Sequence, residues 1–358
     1  MMALNAEFEL ISLLCPVNTQ WNRKYYEPGT FSIQLPIEQY RQDICYVYTD
    51  QRPEMGKVSQ INYVEQNGFE SMQLSGYFLE KELDRHVVFP VGSSSNILEG
   101  PSWSHQSGCA ESVAYAFFNG FQRIKAGDME SSLGIECAES QGRGEQTVHA
   151  REGEFLGEKI YKILKPSELS YRVRYDYLQN QKLFEIWKGI DRTQGNSENA
   201  DTIVFSTRYG NISNPSILLD DNNYKNSCIN VYERDDEVVV KAVLKPQVED
   251  EQKYFVYNKS GINRAEYTED AQFETALKEE AGAVLEDKKK TINVEFETNS
   301  GGYVYMQDFD LGDKCSLEIH RAGISLDARL IKCHEVIKNG QWTMSMEFGT
   351  PIIRGGKF

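Results

Sequence analysis

At 358 residues, with 40% hydrophobic and 11% aromatic content, the chain has the length for two or three domains and the apolar content to bury real cores, against global disorder. Its 38 Lys and Arg stand against 54 Asp and Glu, a net charge of -16. That balance disfavours nucleic acid and anionic membrane as partners, since both carry the same sign.

In chain order, the first 90 residues read as strands. "TFSIQLP" sets Phe31, Ile33 and Leu35 in alternation, "ICYVYT" and "KVSQINYV" follow, and Asn67-Gly68 leads into "ESMQLSGYFL". Asn-Gly suits a two-residue type I′ hairpin turn, whose central positions both need positive φ. In "YYEPGTF", Pro28 fixes φ and Gly29 relaxes it, which predicts a turn. From about Val88 to Pro166 the texture changes. "SSSNILEGPSWSHQSG" is a polar connection. Val113, Phe117, Phe121 and Ile124 then recur at helical spacing, as do Phe155, Lys159 and Ile163 with Leu156/Ile160 and Ile160/Leu164. Pro166 ends the second run, and "ESQGRGEQTVHAREGE" before it reads as an exposed loop.

Strands return at "SYRVRYDYL" and "KLFEIWKGI", a hairpin across "QNQ", and at "CINVYERDDEVVVKAVL", a hairpin around Asp235-Asp236. Phe273, Leu277, Ala281, Val284 and Leu285 form one helical stripe within 270–289, closed by "DKKK" where the helix dipole favours cations. The last 65 or so residues are strands again, with a strand-entry turn at Gly312-Asp313 and a hairpin at Asn339-Gly340.

"VEQNGFESMQL" (64–74) and "VIKNGQWTMSM" (336–346) match at an offset of 272. Val58 meets Leu330, Val64 meets Val336, Met72 meets Met344 and Leu74 meets Met346. A further two-residue slip lays "DICYVY" on "DKCSLE" and sets Cys45 opposite Cys315. Because a one-residue slip inverts every side chain, the shared phase on both arms argues for a duplication. The expected fold is mainly β with an α+β insertion, built as two homologous antiparallel β-barrel domains bracketing a helix-containing middle. Residues 1–88 make the first barrel and 89–168 the insertion. Residues 169–290 supply hairpins and a helix partly completing the second barrel, which occupies 291–358.

"RKYYEPGTFSIQLP", "LSGYFLEKELDRHVV", "LFEIWKGIDRTQ", "NYKNSCINVY" and "DFDLGDKCSLEIHRAGISLDARLIKCHEV", in that order, resemble the siphovirus-type tail protein family. These are baseplate-hub or tail-tip proteins of phages and phage-derived particles, similar also to the N-terminal part of tail-associated lysins. The resemblance spans about residues 20 to 350. It implies a homotrimeric structural hub in the tail tip of a virion, tail-like bacteriocin or contractile injection system, assembled in the bacterial cytoplasm. It also implies contacts with the tail tube or distal tail ring, the tape measure protein and a spike or central fibre. Three chains with two related barrels each would match a six-fold tube on one side and a three-fold spike on the other.

Enzyme signatures are sparse. HExxH, GxSxG and GxxxxGK[ST] are absent, and the five His are dispersed. His149 and Glu152 have helical i,i+3 spacing without a second His nearby, so a solvated polar turn is the stronger reading. Asp308, Asp310 and Asp313 fail the EF-hand pattern, since Gly312 falls at the fifth place and Ile319 at the twelfth; turn capping is expected there. Cys333 and His334 point to opposite faces of a strand. Seven scattered Cys without CxxC fit reduced thiols. No apolar run nears the roughly 18–20 residues of a spanning helix. The acidic start "MMALNAEFELISLLCPV" is unlike a signal peptide. We therefore expect no catalytic, cofactor or metal residues, and structural turns at Pro28, Gly29, Asn67, Gly68, Gly312, Asp313, Asn339 and Gly340. The alternative is a cell-wall-directed hydrolase or carbohydrate-binding tail-tip protein, since 54 acids offer many pairs and 20 Tyr and 4 Trp could line a sugar face. The chain runs only a few residues past its last hairpin, so lysin or receptor-binding modules are expected on separate chains.

Overall fold

The computed structural model describes residues 1–49, 51–66, 68–89, 105–150, 153–198, 200–234, 237–244, 252–262, 264, 267–286, 288–298 and 302–355. The N-terminal strands are β1 (Met2–Leu4), β2 (Leu10–Leu13), β3 (Asn18–Lys24), β4 (Thr30–Pro36), β5 (Tyr46–Tyr48), β6 (Gly56–Gln66) and β7 (Phe69–Phe78). Alternation decides their faces: Phe31, Ile33 and Leu35 of β4 are buried, while Ser32 and Gln34 are only partly covered. Trp21, Leu74 and Phe78 join them in one core.

The middle of the chain contributes β8 (His105–Cys109), α1 (Ala110–Phe121), β9 (Arg123–Ala126), β10 (Met129–Ser132), β11 (Glu136–Cys137), β12 (Gln146–Ala150), α2 (Leu156–Leu164), β13 (Ser170–Asp176) and β14 (Gln181–Trp187). Val113, Phe117 and Phe121 are buried on α1, and Ile160, Ile163 and Leu164 on α2. Ile124 lies past the helix end, on β9. The helices share one core with the β13–β14 hairpin, through Tyr171, Val173, Phe184 and Ile186, and with Leu79 and Leu83. This unit therefore crosses the expected boundary at 168, and the hairpin packs with the helices rather than completing the C-terminal strands. The stretch read as an exposed loop also changes character. Gln146–Ala150 pairs with β8, and Arg143 places its Nη2 2.9 Å from Glu111 Oε1. His149 is thus on a strand; Glu152 lies outside the described residues.

β15 (Val204–Ser206) and β16 (Ile212–Asp220) follow, then β17 (Ser227–Arg234), β18 (Glu237–Leu244), β19 (Phe255–Lys259) and α3 (Asp270–Glu286). The last four form a small unit with its own core, in which Phe273 and Leu277 of α3 pack on Tyr232, and α3 lies beside β12. Residues 235–236, at its expected turn, lie outside the described residues. The chain ends with β20 (Thr291–Thr298), β21 (Lys314–Ile319), β22 (Ile324–Lys338) and β23 (Gln341–Gly355).

Two barrels are expected from the repeat. Among the described residues, the strands of both ends instead form one 13-stranded sheet without closure, in the order β16-β20-β23-β22-β3-β4-β7-β6-β5-β1-β2, with β21 on β22 and β15 on β21. The halves join because the second arm of a long strand, β22, takes β3 as its neighbour. Within that sheet the order β3-β4-β7-β6-β5 is matched by β16-β20-β23-β22-β21, with antiparallel pairing throughout both series. Pairs Val58↔Gly76, Ile61↔Leu74 and Gln66↔Phe69 have counterparts Leu330↔Phe348, Cys333↔Met346 and Lys338↔Gln341 at the offset of 272. Even the bulge between Val58 and Gln60 recurs between Leu330 and Lys332. The cysteine match is different. Tyr46 pairs Lys57 as Lys314 pairs Arg329, so Val47, not Cys45, stands where Cys315 stands.

Candidate assembly site

The seam between the two strand sets is where side chains of the N-terminal strands, the helical unit and the C-terminal strands converge. Its backbone is the antiparallel run from Lys332↔Lys24 to Lys338↔Asn18, extended by the Tyr25 amide donating to the Ile331 carbonyl at 2.8 Å. Arg23 shares the inward phase of β3 with Trp21 and Tyr25 and is 1% exposed. Its Nε donates to Glu54 Oε1 at 2.6 Å, and its Nη1 to Asp310 Oδ1 at 2.7 Å and to the Tyr305 hydroxyl. A charge this deep is tolerated only when paired and hydrogen-bonded, as it is here.

Two further clusters tie the seam. Arg52 Nε donates to Glu335 Oε1 at 3.0 Å, its Nη2 bonds Oε2, and Trp342 Nε1 donates to Oε2 at 3.0 Å. Arg329 donates to Glu168 Oε2 at 2.7 Å and to the Gly312 carbonyl, and Lys314 lies 3.1 Å from Glu168 Oε1. Burial pushes the Glu168 carboxyl up, but Arg329 and Lys314 outweigh it and hold the group below its ordinary value. The Tyr25 hydroxyl donates to the Glu168 carbonyl at 3.0 Å, and the Ser170 hydroxyl to the Tyr25 carbonyl. The helical unit is thereby fastened to both strand sets.

The expected turn residues separate into tips and seam. Gly68 has φ 74, and Asn339 and Gly340 have φ 51 and 77, as a type I′ turn requires; Asn67 lies outside the described residues. Pro28 and Gly29 link β3 to β4, with the Gly29 carbonyl accepting from the Phe78 amide at 3.1 Å. Gly312 and Asp313 belong to the seam. Asp313 accepts from the Ile190 amide at 2.8 Å, the Asp310 amide at 3.0 Å and Arg192 Nε at 2.7 Å. Asp308 accepts from the Val304 amide at 2.6 Å. The three aspartates thus cap turns and pair cations, and among the described residues no group of His, Cys, Asp and Glu could hold a metal ion. Cys333 is buried and His334 half-buried, on opposite faces.

Arg23, Arg52, Glu54, Glu168, Arg329 and Glu335 belong to no motif that the sequence displays. The available signal was charge in the apolar phase: Arg23 between Trp21 and Tyr25, and Glu335 two residues from Cys333. The strongly perturbed carboxylate, Glu80, is enclosed rather than set in a cleft. Burial first, then the Glu54 carboxylate, push it up to about 7. Apolar side chains meanwhile remain exposed along particular strands, notably Ile61, Tyr63 and Phe69 of the first hairpin and Leu218 and Leu219 of β16.

The family model for the Siphovirus ReqiPepy6 Gp37-like protein matches residues 5–350. Among solved structures, the fold is similar to the tail protein from Neisseria meningitidis MC58, at 10% identity over 98% of this chain and 95% of that one, with a TM-score of 0.58. It is also similar to the 43 kDa tail protein of prophage MuSo2 from Shewanella oneidensis, at 10% identity over 95% of each chain and a TM-score of 0.56. At that identity the likeness is one of fold. No curated protein matches the chain in sequence.

Proposed function

The chain belongs to the Siphovirus ReqiPepy6 Gp37-like protein family of phage tails, and from that premise we propose that it is the tail's structural hub. In this reading three copies form a ring in which six related strand sets alternate around one axis. One side of the ring meets the tail tube or distal tail ring and the tape measure protein; the other meets a central spike or fibre at the tail tip. The observation that carries this is the repeated strand order, β3-β4-β7-β6-β5 and β16-β20-β23-β22-β21, within one chain. Duplication inside a chain lets a three-fold assembly present six near-equivalent surfaces. Each strand set corresponds to one barrel-like segment of the ring, completed in the assembly.

The role we propose is non-catalytic. Glu54 and Glu80 are buried against Arg23 and the core, where a glycan does not reach, and the seam clusters consist of charges already committed to one another. Native mass measurement of the purified chain should give a trimer, and tail reconstructions should contain three copies between tube and spike. Six copies, or a monomer at the side of the tail, rejects the hub. Cell-wall hydrolysis by the purified chain, abolished by a single carboxylate substitution, rejects the non-catalytic role.

A further inference from the structure

We infer that neighbouring copies join edge to edge, β6 of one copy pairing antiparallel with β16 of the next; this rests on the ring proposed above. The warrant is the seam already made inside the chain. β22 divides its outer edge at the bulge between Leu330 and Lys332: residues before it pair β21, and residues after it pair β3. β6 has the same bulge between Val58 and Gln60. Before it, Gly56 and Lys57 pair β5; after it, among the described residues, the edge from Gln60 to Gln66 has no strand beside it. β16 is the counterpart of β3, and its outer edge is likewise unpaired among the described residues. The two open edges are thus equivalents of the two edges that meet in the seam.

The register follows from the same pairings. His334 faces Asn22 in the seam. Asn62 is the counterpart of His334, and Leu218 of Asn22, because Asn22 pairs Thr30 and Leu218 pairs Asn293, themselves opposite Tyr77 and Gly349. Asn62 therefore stands opposite Leu218, with Ile61 opposite Leu219 and Tyr63 opposite Ile217. Ile61, Tyr63, Leu218 and Leu219 are 47%, 49%, 57% and 46% exposed in the single chain. Where the seam buries Arg23 and Glu335, the contact between copies sets apolar against apolar. Open edges in monomers are usually blunted by Lys or Pro. Neither Gln60–Gln66 nor Ser216–Asp220 contains one, and Pro215 sits in the bulge before the paired stretch. A second copy supplies a strand of the matching length, direction and side-chain phase, which is strand addition in a closed, heterologous form.

The test uses the full chain carrying Cys15→Ser, Asn62→Cys and Leu218→Cys. Mild oxidation should give covalent trimers, with a disulfide mapped between positions 62 and 218 of different copies. Moving the second cysteine by one residue, with Leu219→Cys in place of Leu218→Cys, turns it to the other face and should abolish the link. Ile61→Lys, at an exposed edge, should convert trimer to monomer while the far-ultraviolet circular dichroism spectrum stays that of the parent. A trimer that forms no 62–218 link and survives Ile61→Lys overturns the strand contact while leaving the ring. A chain monomeric at all concentrations, without links, overturns both.

Discussion

Glu80 lies in the short helical turn after β7, where its Oε1 accepts from the Val173 amide at 3.2 Å and its side chain is shut away from water. Burial, and then the Glu54 carboxylate, raise its pKa from 4.5 to about 7. With the folded-state value above the unfolded one, its contribution to stability is complete below about pH 4.5 and is lost as pH rises toward 7. The loss amounts to something on the order of 3 kcal/mol. Glu111 and Glu168, held below their ordinary values, act in the opposite sense and lose stability as pH falls. The informative quantity is therefore the difference between a Glu80→Gln variant and the parent, since Gln keeps the acceptor for Val173 without the charge. Denaturant unfolding should show the variant gaining on the parent between pH 5 and pH 8. A gap that stays constant over that range means Glu80 is not paying for its burial.

At the scale of elements, glycines with positive φ are not equivalent. Gly68 and Gly340 have open space where a side chain would go, so Ala there meets only the backbone penalty, about 1 kcal/mol. Gly312 has φ 87, and a Cβ would come within 2.5 Å of the Tyr25 ring and 3.1 Å of Trp187. Gly312→Ala should cost roughly 3 kcal/mol, backbone strain plus overpacking at the seam, and Gly68→Ala about a third of that. Equal losses in denaturant midpoints would show that the seam gives way easily. Sequence alternation locates both hairpins, because one buried face fixes their phase. It misaligned Cys45 because a slip of two more residues keeps that phase, and only the pairing of Tyr46 with Lys57 distinguishes the registers. It read Gln146–Ala150 as loop because that strand's partner is some forty residues away, across residues 105–109. It expected separate barrels because the pairing of β22 with β3 joins chain ends and leaves no local mark. The ionic seam escaped for a related reason: Arg23, Glu54 and Asp310 meet only once the sheet has formed.

For the whole molecule, charge and cohesion pull in opposite directions. In the proposed ring, three copies at -16 each would carry -48 around one axis, and in a particle that conducts DNA an acidic bore would keep the like-charged polymer from adhering. The cost is repulsion between copies, screened over about 8–10 Å at physiological salt. The ion pairs of Arg23, Arg52 and Arg329 join residues of the same chain, so in a ring they would brace each copy rather than bind copies together. In the proposed ring, cohesion would then come from the inferred strand hydrogen bonds and from apolar contacts such as Ile61 with Leu219, neither of which salt weakens appreciably. Raising salt from about 0.05 to about 0.3 M should therefore tighten the trimer, lowering its dissociation concentration roughly a few-fold. Sedimentation or native mass across that range measures it. Dissociation on adding salt would mean that ion pairs between copies dominate, and a bore lined by Lys and Arg would reject the electrostatic account outright.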